Sequence, residues 1–433
     1  MHIVIIGNGI SGITAARHIR KGSDYKITVV SCESDHFFSR TALMYIYMGH
    51  MTYEHTKPYE DSFWKKNRIE LRLAKVMAVV PASKSLVLEG GGSLDYDKLI
   101  IASGSQPNRF GWPGQDLKGV QGLYSLQDLE ALEEHAPNRK QCRHAVIVGG
   151  GLIGIELAEM LRSRDIPVTF LVRESSFWNG VLPEGESAMI NEHIRQHHVD
   201  LRLSTNLKEI LSDDTGRARA VITDRDEEIE CDLVGLTAGV TPNIGFLKDS
   251  GIETDKGVLV DRYLKTNIPD VYAIGDCAQQ RIPIGKRRGV EAVWYTGRMM
   301  GETLARTICG QEMEYKPGHW FNSAKFFDIE YQTYGWVSGA LGRDPEEQHF
   351  HWKHPKELLC LTLAYDGKTR KLLGINTFGI RLRHEVIDRW LTRGVTIDQA
   401  VERLGEANFD PEQYRRYEGD ILRAFTSKTE PIL

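Results

Sequence analysis

The residues best placed to do chemistry are two matching sets of glycines. Gly7, Gly9 and Gly12 stand at the spacing G-x-G-x-x-G after the run His2-Ile3-Val4-Ile5-Ile6, and Gly149, Gly151 and Gly154 repeat it after Ala145-Val146-Ile147-Val148. The first glycine of such a set permits a tight turn out of a strand, the second lets backbone approach a pyrophosphate, and the third lets the next helix pack close to the sheet. A helix that starts there aims unpaired N–H groups and a partial positive charge at a diphosphate. Ile10 and Ser11 in the first copy, and Leu152 and Ile153 in the second, belong to these candidate binding turns.

Three glycines alone are a weak signal, so the surrounding elements carry the argument. Each set follows β-branched residues, opens an apolar-periodic segment (Ile13 to Ile19; Ile155 to Leu161) and leads to a second strand (Lys26 to Val30; Val168 to Val172). Beyond the first unit a polar segment runs to about residue 70, followed by expected strands at Arg72 to Val80, Ser85 to Leu88 and Leu99 to Ala102, with Glu89-Gly90-Gly91-Gly92 as a turn. A β-rich stretch covers Arg217 to Gly239, a short buried strand Val271 to Ile274, and a helix about Glu291 to Ile308. Further on, Phe326 to Tyr331, Leu358 to Tyr365 and Leu372 to Thr377 read as strands, and Arg383 to Thr392 as a helix.

A chain of 433 residues has room for two to four domains. Its net charge of −5 argues against a dedicated nucleic-acid or membrane-surface binder. No apolar stretch approaches the roughly 20 residues that span a bilayer. A strand starting at residue 2 leaves no room for a signal peptide, so a cytoplasmic location is expected. The six cysteines (Cys32, Cys142, Cys231, Cys277, Cys309, Cys360) show no paired spacing, which excludes a cysteine-based metal site and a local redox disulfide. In His349-Phe350-His351-Trp352-Lys353-His354 the alternate histidines share a strand face, read as an ordinary polar face, and no metal is expected.

Several junctions match fixed features of a known family. Tyr96-Asp97-Lys98-Leu99-Ile100-Ile101-Ala102-Ser103-Gly104-Ser105-Gln106-Pro107, Cys231-Asp232-Leu233-Val234-Gly235-Leu236-Thr237-Ala238-Gly239-Val240-Thr241-Pro242-Asn243 and Thr266-Asn267-Ile268-Pro269-Asp270-Val271-Tyr272-Ala273-Ile274-Gly275-Asp276-Cys277-Ala278 occur in the family's order. With them the chain resembles the FAD-dependent pyridine-nucleotide oxidoreductases, closest to the ferredoxin-reductase and rubredoxin-reductase branch. The resemblance implies an α/β fold with two Rossmann-like dinucleotide-binding domains and a C-terminal α/β interface domain. FAD would lie on residues 1–115 and 240–312, the nicotinamide on 116–239, and the interface domain, with a possible homodimer, on 313–433.

The resemblance also assigns roles. Asp276, after Gly275, would accept a hydrogen bond from the ribityl chain. Glu33, with Asp35 as an alternative, would bind the adenosine ribose. Arg40 of the Ser-Arg pair would stand near the FAD phosphates or the flavin. Val76, Ala102, Ser103, Gly104 and Gly239 complete the expected FAD contacts, and Glu291 and Ala292 open the helix aimed at the flavin's pyrimidine end. In the second copy Arg173 and Glu174 stand where NADH and NADPH are told apart, with NADH preferred because Glu174 can bind a 2′-hydroxyl.

Glu156 matches a catalytic helix glutamate whose usual lysine partner aligns with Tyr45; Arg40 is an alternative partner. Leu152 replaces a gating tyrosine, and Thr41 replaces a flavin-facing cysteine, which makes thiol reduction improbable. The expected reaction is hydride transfer from NAD(P)H to FAD, with electrons passed on to a ferredoxin- or rubredoxin-type protein. The basic loop Arg281-Ile282-Pro283-Ile284-Gly285-Lys286-Arg287-Arg288 either steers such an acidic partner or is a solvated loop or phosphate clamp. Alternatives are an NADH oxidase or quinone reductase, and a redox-sensing or complex-subunit flavoprotein.

Overall fold

The structure is a computed structural model describing residues 1–341, 344–409 and 415–429. The chain divides into two compact units: Met1–Phe110 with Gln121–His135 and Gly239–Pro317, and Gly111–Val120 with Ala136–Ala238 and Gly318–Leu433.

In the first unit the apolar run His2–Ile6 is the middle strand of a parallel sheet ordered Val271–Ala273, Lys98–Ile101, His2–Ile6, Lys26–Ser31, Ile69–Leu73. Strands covered on both faces need side chains that are apolar on both. Ile3, Val4 and Ile5 and their neighbours Leu99, Ile100 and Ile101 accordingly expose nothing. Helix Ile10–Gly22 follows the first glycine turn and packs against helix Trp294–Ile308. A Cβ on Gly301 would lie 2.6 Å from the Ser11 carbonyl oxygen, and one on Gly297 2.5 Å from Ser11 Oγ, so only bare backbone fits there. This last helix starts at Trp294, three residues later than the sequence suggests.

Other expected features of this unit differ as well. The stretch Arg72 to Val80 is not one strand: Ile69–Leu73 joins the parallel sheet, whereas Val76–Val80 pairs antiparallel with Ser85–Leu88. The break falls where Ala74 N–H donates to Ser31 O at 2.8 Å while Lys75 O accepts from Glu89 N–H at 2.9 Å, so adjacent residues serve different sheets. The polar segment before residue 70 holds the short helices Leu43–Tyr47 and Asp61–Lys66, anchored by buried Tyr47 and Trp64.

The second unit repeats the plan. Ala145–Val148 lies between Val168–Val172 and Leu233–Leu236, with Val199–Leu203 outside, all parallel, and helix Leu152–Ser163 follows the second glycine turn. The same unit contains an antiparallel sheet ordered Phe321–Phe326, Ile329–Gly335, Leu372–Phe378, Cys360–Asp366, Glu347–Lys353, against which helix His384–Arg393 buries Trp390. Phe326 to Tyr331, read as one strand, is a hairpin whose turn is Phe327-Asp328, with Phe327 at φ +54°. Apolar residues on both sides of a two-residue turn hide it from an alternation test. The protein is thus α/β, with two Rossmann-like parallel sheets.

Candidate functional site

The first glycine turn has the shape its sequence suggests. Gly7 sits at φ +108°, and a Cβ there would lie 2.1 Å from Ala102 O; one on Gly12 would lie 2.1 Å from Gly7 O. Gly9 is the opposite case, because a Cβ there meets nothing within 4 Å. It caps helix Ile10–Gly22 without any side-chain cap, so the helix's first N–H groups face an open cradle. Ser103 Oγ donates to Asn243 O at 2.7 Å and Asn108 N–H to Gly239 O at 3.0 Å, which ties the Ala102-Ser103-Gly104 turn and Gly239 into the same unit. Gly275 packs on this turn, a Cβ there falling 2.2 Å from Ser11 Oγ. Val76 opens its strand opposite Leu88.

The predicted polar residues of this unit form a connected string. Glu33 accepts from Arg40 Nη1 at 2.8 Å and from Leu126 N–H at 3.0 Å. The Arg40 guanidinium lies 4.4 Å from the centre of the Tyr124 ring and also donates to the Tyr124 carbonyl. Tyr124 Oη accepts from Ser105 N–H at 3.0 Å, and Ser105 Oγ donates to Asp276 Oδ2 at 3.1 Å. Burial pushes the Asp276 carboxyl above its ordinary value, partly offset by Ser105 and Arg40. Tyr124 lies in no motif, and Ser105, although inside the Tyr96 to Pro107 run, has no role assigned by it. Asp35 is exposed.

Elsewhere the structure spends charges that the sequence left free. Arg287 donates to Glu291 at 2.8 Å, with side chains only 5% and 7% exposed, and Arg281 lies 2.5 Å from Glu253. Arg287 therefore serves the unit itself, because a buried, neutralised guanidinium steers nothing, whereas Arg281 is exposed in a surface ion pair. Glu291 is a partner of Arg287 just ahead of helix Trp294–Ile308, with Ala292 beside it.

In the second unit Gly149 is at φ +121°, a Cβ on Gly154 would lie 2.5 Å from Gly149 O, and Gly151 caps helix Leu152–Ser163 with open space above it. Gly150, not singled out in the sequence, is needed as well: its Cβ would fall 2.7 Å from Val172 Cγ1. Arg173 and Glu174 pair with each other at 2.8 Å just past the fully buried Val172. Glu156, on the second helix, has its carboxyl pushed up to about 7 by burial and by Glu159 one turn on, with Lys325 acting against both. Lys325, from strand Phe321–Phe326, pairs with Glu159 at 2.5 Å. No spacing rule links residue 325 to residue 159, whereas the charge of Arg40 is taken up by Glu33.

The family description pyridine nucleotide-disulphide oxidoreductase matches residues 1–301. The chain belongs to that family. It is 32% identical over 337 residues to the ferredoxin reductase subunit of 5,5'-dehydrodivanillate O-demethylase from Sphingobium sp., covering 77% of this chain and 81% of the relative. A ferredoxin–NAD(P)+ reductase from Sphingomonas sp. is 31% identical, covering 78% and 81%. The solved covalent putidaredoxin reductase–putidaredoxin complex superposes with a TM-score of 0.81 over 99% of both chains at 20% identity, which shows the fold alone.

As a member of this family the protein is an FAD-dependent NAD(P)H oxidoreductase. The first cradle fits FAD, since open space and uncapped N–H groups over Gly9 suit a diphosphate. The second fits a nicotinamide dinucleotide on the same grounds. A redox disulfide is absent: all six cysteines are unpaired, and Cys277, next to Asp276, is buried with its thiol pushed up by burial. Thr41 is exposed, its Oγ1 3.3 Å from Ser39 Oγ. Among the described residues no helix is long and apolar enough to cross a membrane.

Proposed function

We propose that this oxidoreductase takes hydride from NADH and delivers electrons to a small ferredoxin- or rubredoxin-type protein. The carrying observation is the pair of open glycine cradles in a chain with no disulfide for a thiol substrate. Bound FAD would accept a hydride and release its electrons one at a time. The protein's part is to bind, orient and hold charge. N–H groups from Gly9 to Gly12 would hold the FAD diphosphate, Glu33 the ribose and Asp276 the ribityl chain. Arg40, fixed between Glu33 and the Tyr124 ring and matched in charge by Glu33, would position the Asp276 string. Glu156, with its carboxyl near 7, would hold or release a proton at the pH of the reaction.

Gly149, Gly151 and Gly154 would hold the second diphosphate. The NADH preference rests on Arg173, whose charge is already matched by Glu174 and so offers little net attraction to a 2′-phosphate. The ferredoxin and rubredoxin reductases among the relatives support the acceptor class. Six unpaired cysteines support a cytoplasmic location.

The test is anaerobic stopped-flow reduction by NADH and NADPH, followed by mixing with ferredoxin, rubredoxin, quinone and oxygen. Fast reoxidation by one iron–sulfur protein supports the reading. Fast reduction with no competent acceptor would overturn it in favour of a sensor or complex subunit.

A further inference from the structure

Outside both cradles, the second unit brings together His193, His197 and Asp328, whose ligand atoms all lie within 4.8 Å of one another. We propose that these three side chains bind a divalent transition-metal ion of the zinc class. His193 lies in the last turn of helix Glu184–Gln196 and His197 is the residue that ends it, so a four-residue step puts both rings on one face. Asp328 comes from the Phe327-Asp328 turn, where Phe327 takes a left-handed backbone and stacks its ring on His197, centroids 4.2 Å apart and planes 4° off parallel. Bulky residues rarely adopt that backbone, and here it carries the carboxylate to the helix end.

The distances suit a metal. Asp328 Oδ1 lies 2.9 Å from His193 Nε2 and 3.1 Å from His197 Nε2. A tetrahedral ion with bonds of about 2.0–2.1 Å separates its ligand atoms by about 3.3 Å, close to both histidine–carboxylate distances. Two imidazoles and a carboxylate form an N/O donor set of the kind zinc, nickel and copper take. His193 Nε2 also lies 3.0 Å from Phe326 O, which accepts the ring proton when it is on Nε2; metal binding takes the other neutral tautomer, with the single ring proton on Nδ1 and the Nε2 lone pair on the ion. His193 is 5% exposed and Asp328 75%, so the ion enters on the Asp328 side and water completes its shell. Such an ion would clip the hairpin turn to the helix end within this unit, apart from any dinucleotide.

The experiment uses the full-length, FAD-loaded protein, treated with chelator and desalted, and titrates zinc alone by calorimetry at pH 7.5 with parallel thermal melts. One saturable equivalent and a raised melting temperature are expected for the wild type. His197→Ala and Asp328→Asn should each weaken that binding by about tenfold or more and abolish the thermal shift. Both side chains are solvent-accessible, and the metal-free melting temperature and flavin spectrum of each variant report whether its fold is intact. Absence of saturable binding, or equal affinity in wild type and folded variants, would overturn the proposal.

Discussion

At the scale of single residues, three side chains carry separate expectations. Asp276 is held by Ser105 in the string that begins at Glu33. Asp276→Ala is expected to lower the flavin-to-protein absorbance ratio of the purified enzyme, and unchanged tight FAD would remove Asp276 from the site. Arg173→Glu places two carboxylates at the strand end and is expected to raise the KM for NADPH more than that for NADH; an unchanged ratio would mean that Arg173 plays no part in the choice. Glu186 is a residue whose chemistry no motif announced. It exposes nothing, Asn376 Nδ2 donates to it at 2.9 Å, its Oε1 is without a partner among the described residues, and burial pushes it up to about 7 from 4.5. Between those values the unfolded chain is ionised while the native carboxyl keeps its proton, so stability is greatest below 4.5 and is lost as pH rises through about 7. Glu186→Gln is therefore expected to be more stable than wild type at pH 8, by up to about 3 kcal/mol, with a smaller gain at pH 5. A pH-independent difference in urea unfolding would contradict this.

At the scale of elements, the glycine turns were legible because each is a local event: a buried strand, a turn that needs a bare backbone, and a helix start within a dozen residues. The close approach of helices Ile10–Gly22 and Trp294–Ile308 was not, although Gly297 and Gly301 stand four apart, because that spacing names no partner. Gly301→Val should force its methyls against the Ser11 carbonyl and cost about 1–3 kcal/mol, with reduced FAD retention because Ser11 belongs to the cradle. Unchanged thermal stability and flavin content would show that the helix pair yields easily. The break at Ala74-Lys75 and the Phe327-Asp328 turn were also hidden. In both places apolar residues run across the boundary, and hydrogen bonds to distant strands decide where one element stops.

At the scale of the whole molecule, each compact unit carries one cradle, so each cofactor should protect its own unit from hydrogen exchange. Removing FAD is expected to raise exchange at the start of helix Ile10–Gly22 and in helix Trp294–Ile308, whereas adding NADH should lower it at the start of helix Leu152–Ser163. Protection by NADH confined to the first unit would reverse the assignment of the cradles. By itself the sequence determined the two strand–turn–helix cradles, the α/β class, the oxidoreductase family and the lack of a redox disulfide, because these depend on residue types at short, fixed spacings. The tertiary structure alone decided that Arg40 is matched by Glu33, that Arg287 is buried against Glu291, that Lys325 meets Glu159, and that His193 and His197 meet Asp328. The Arg287–Glu291 pair is close in sequence, yet its burial is set by distant chain. Glu33 and Arg40 are seven residues apart in one connecting segment, whereas the last two sets join separate elements, and a charge or a ligand there acquires its partner only when packing brings those elements within hydrogen-bonding reach.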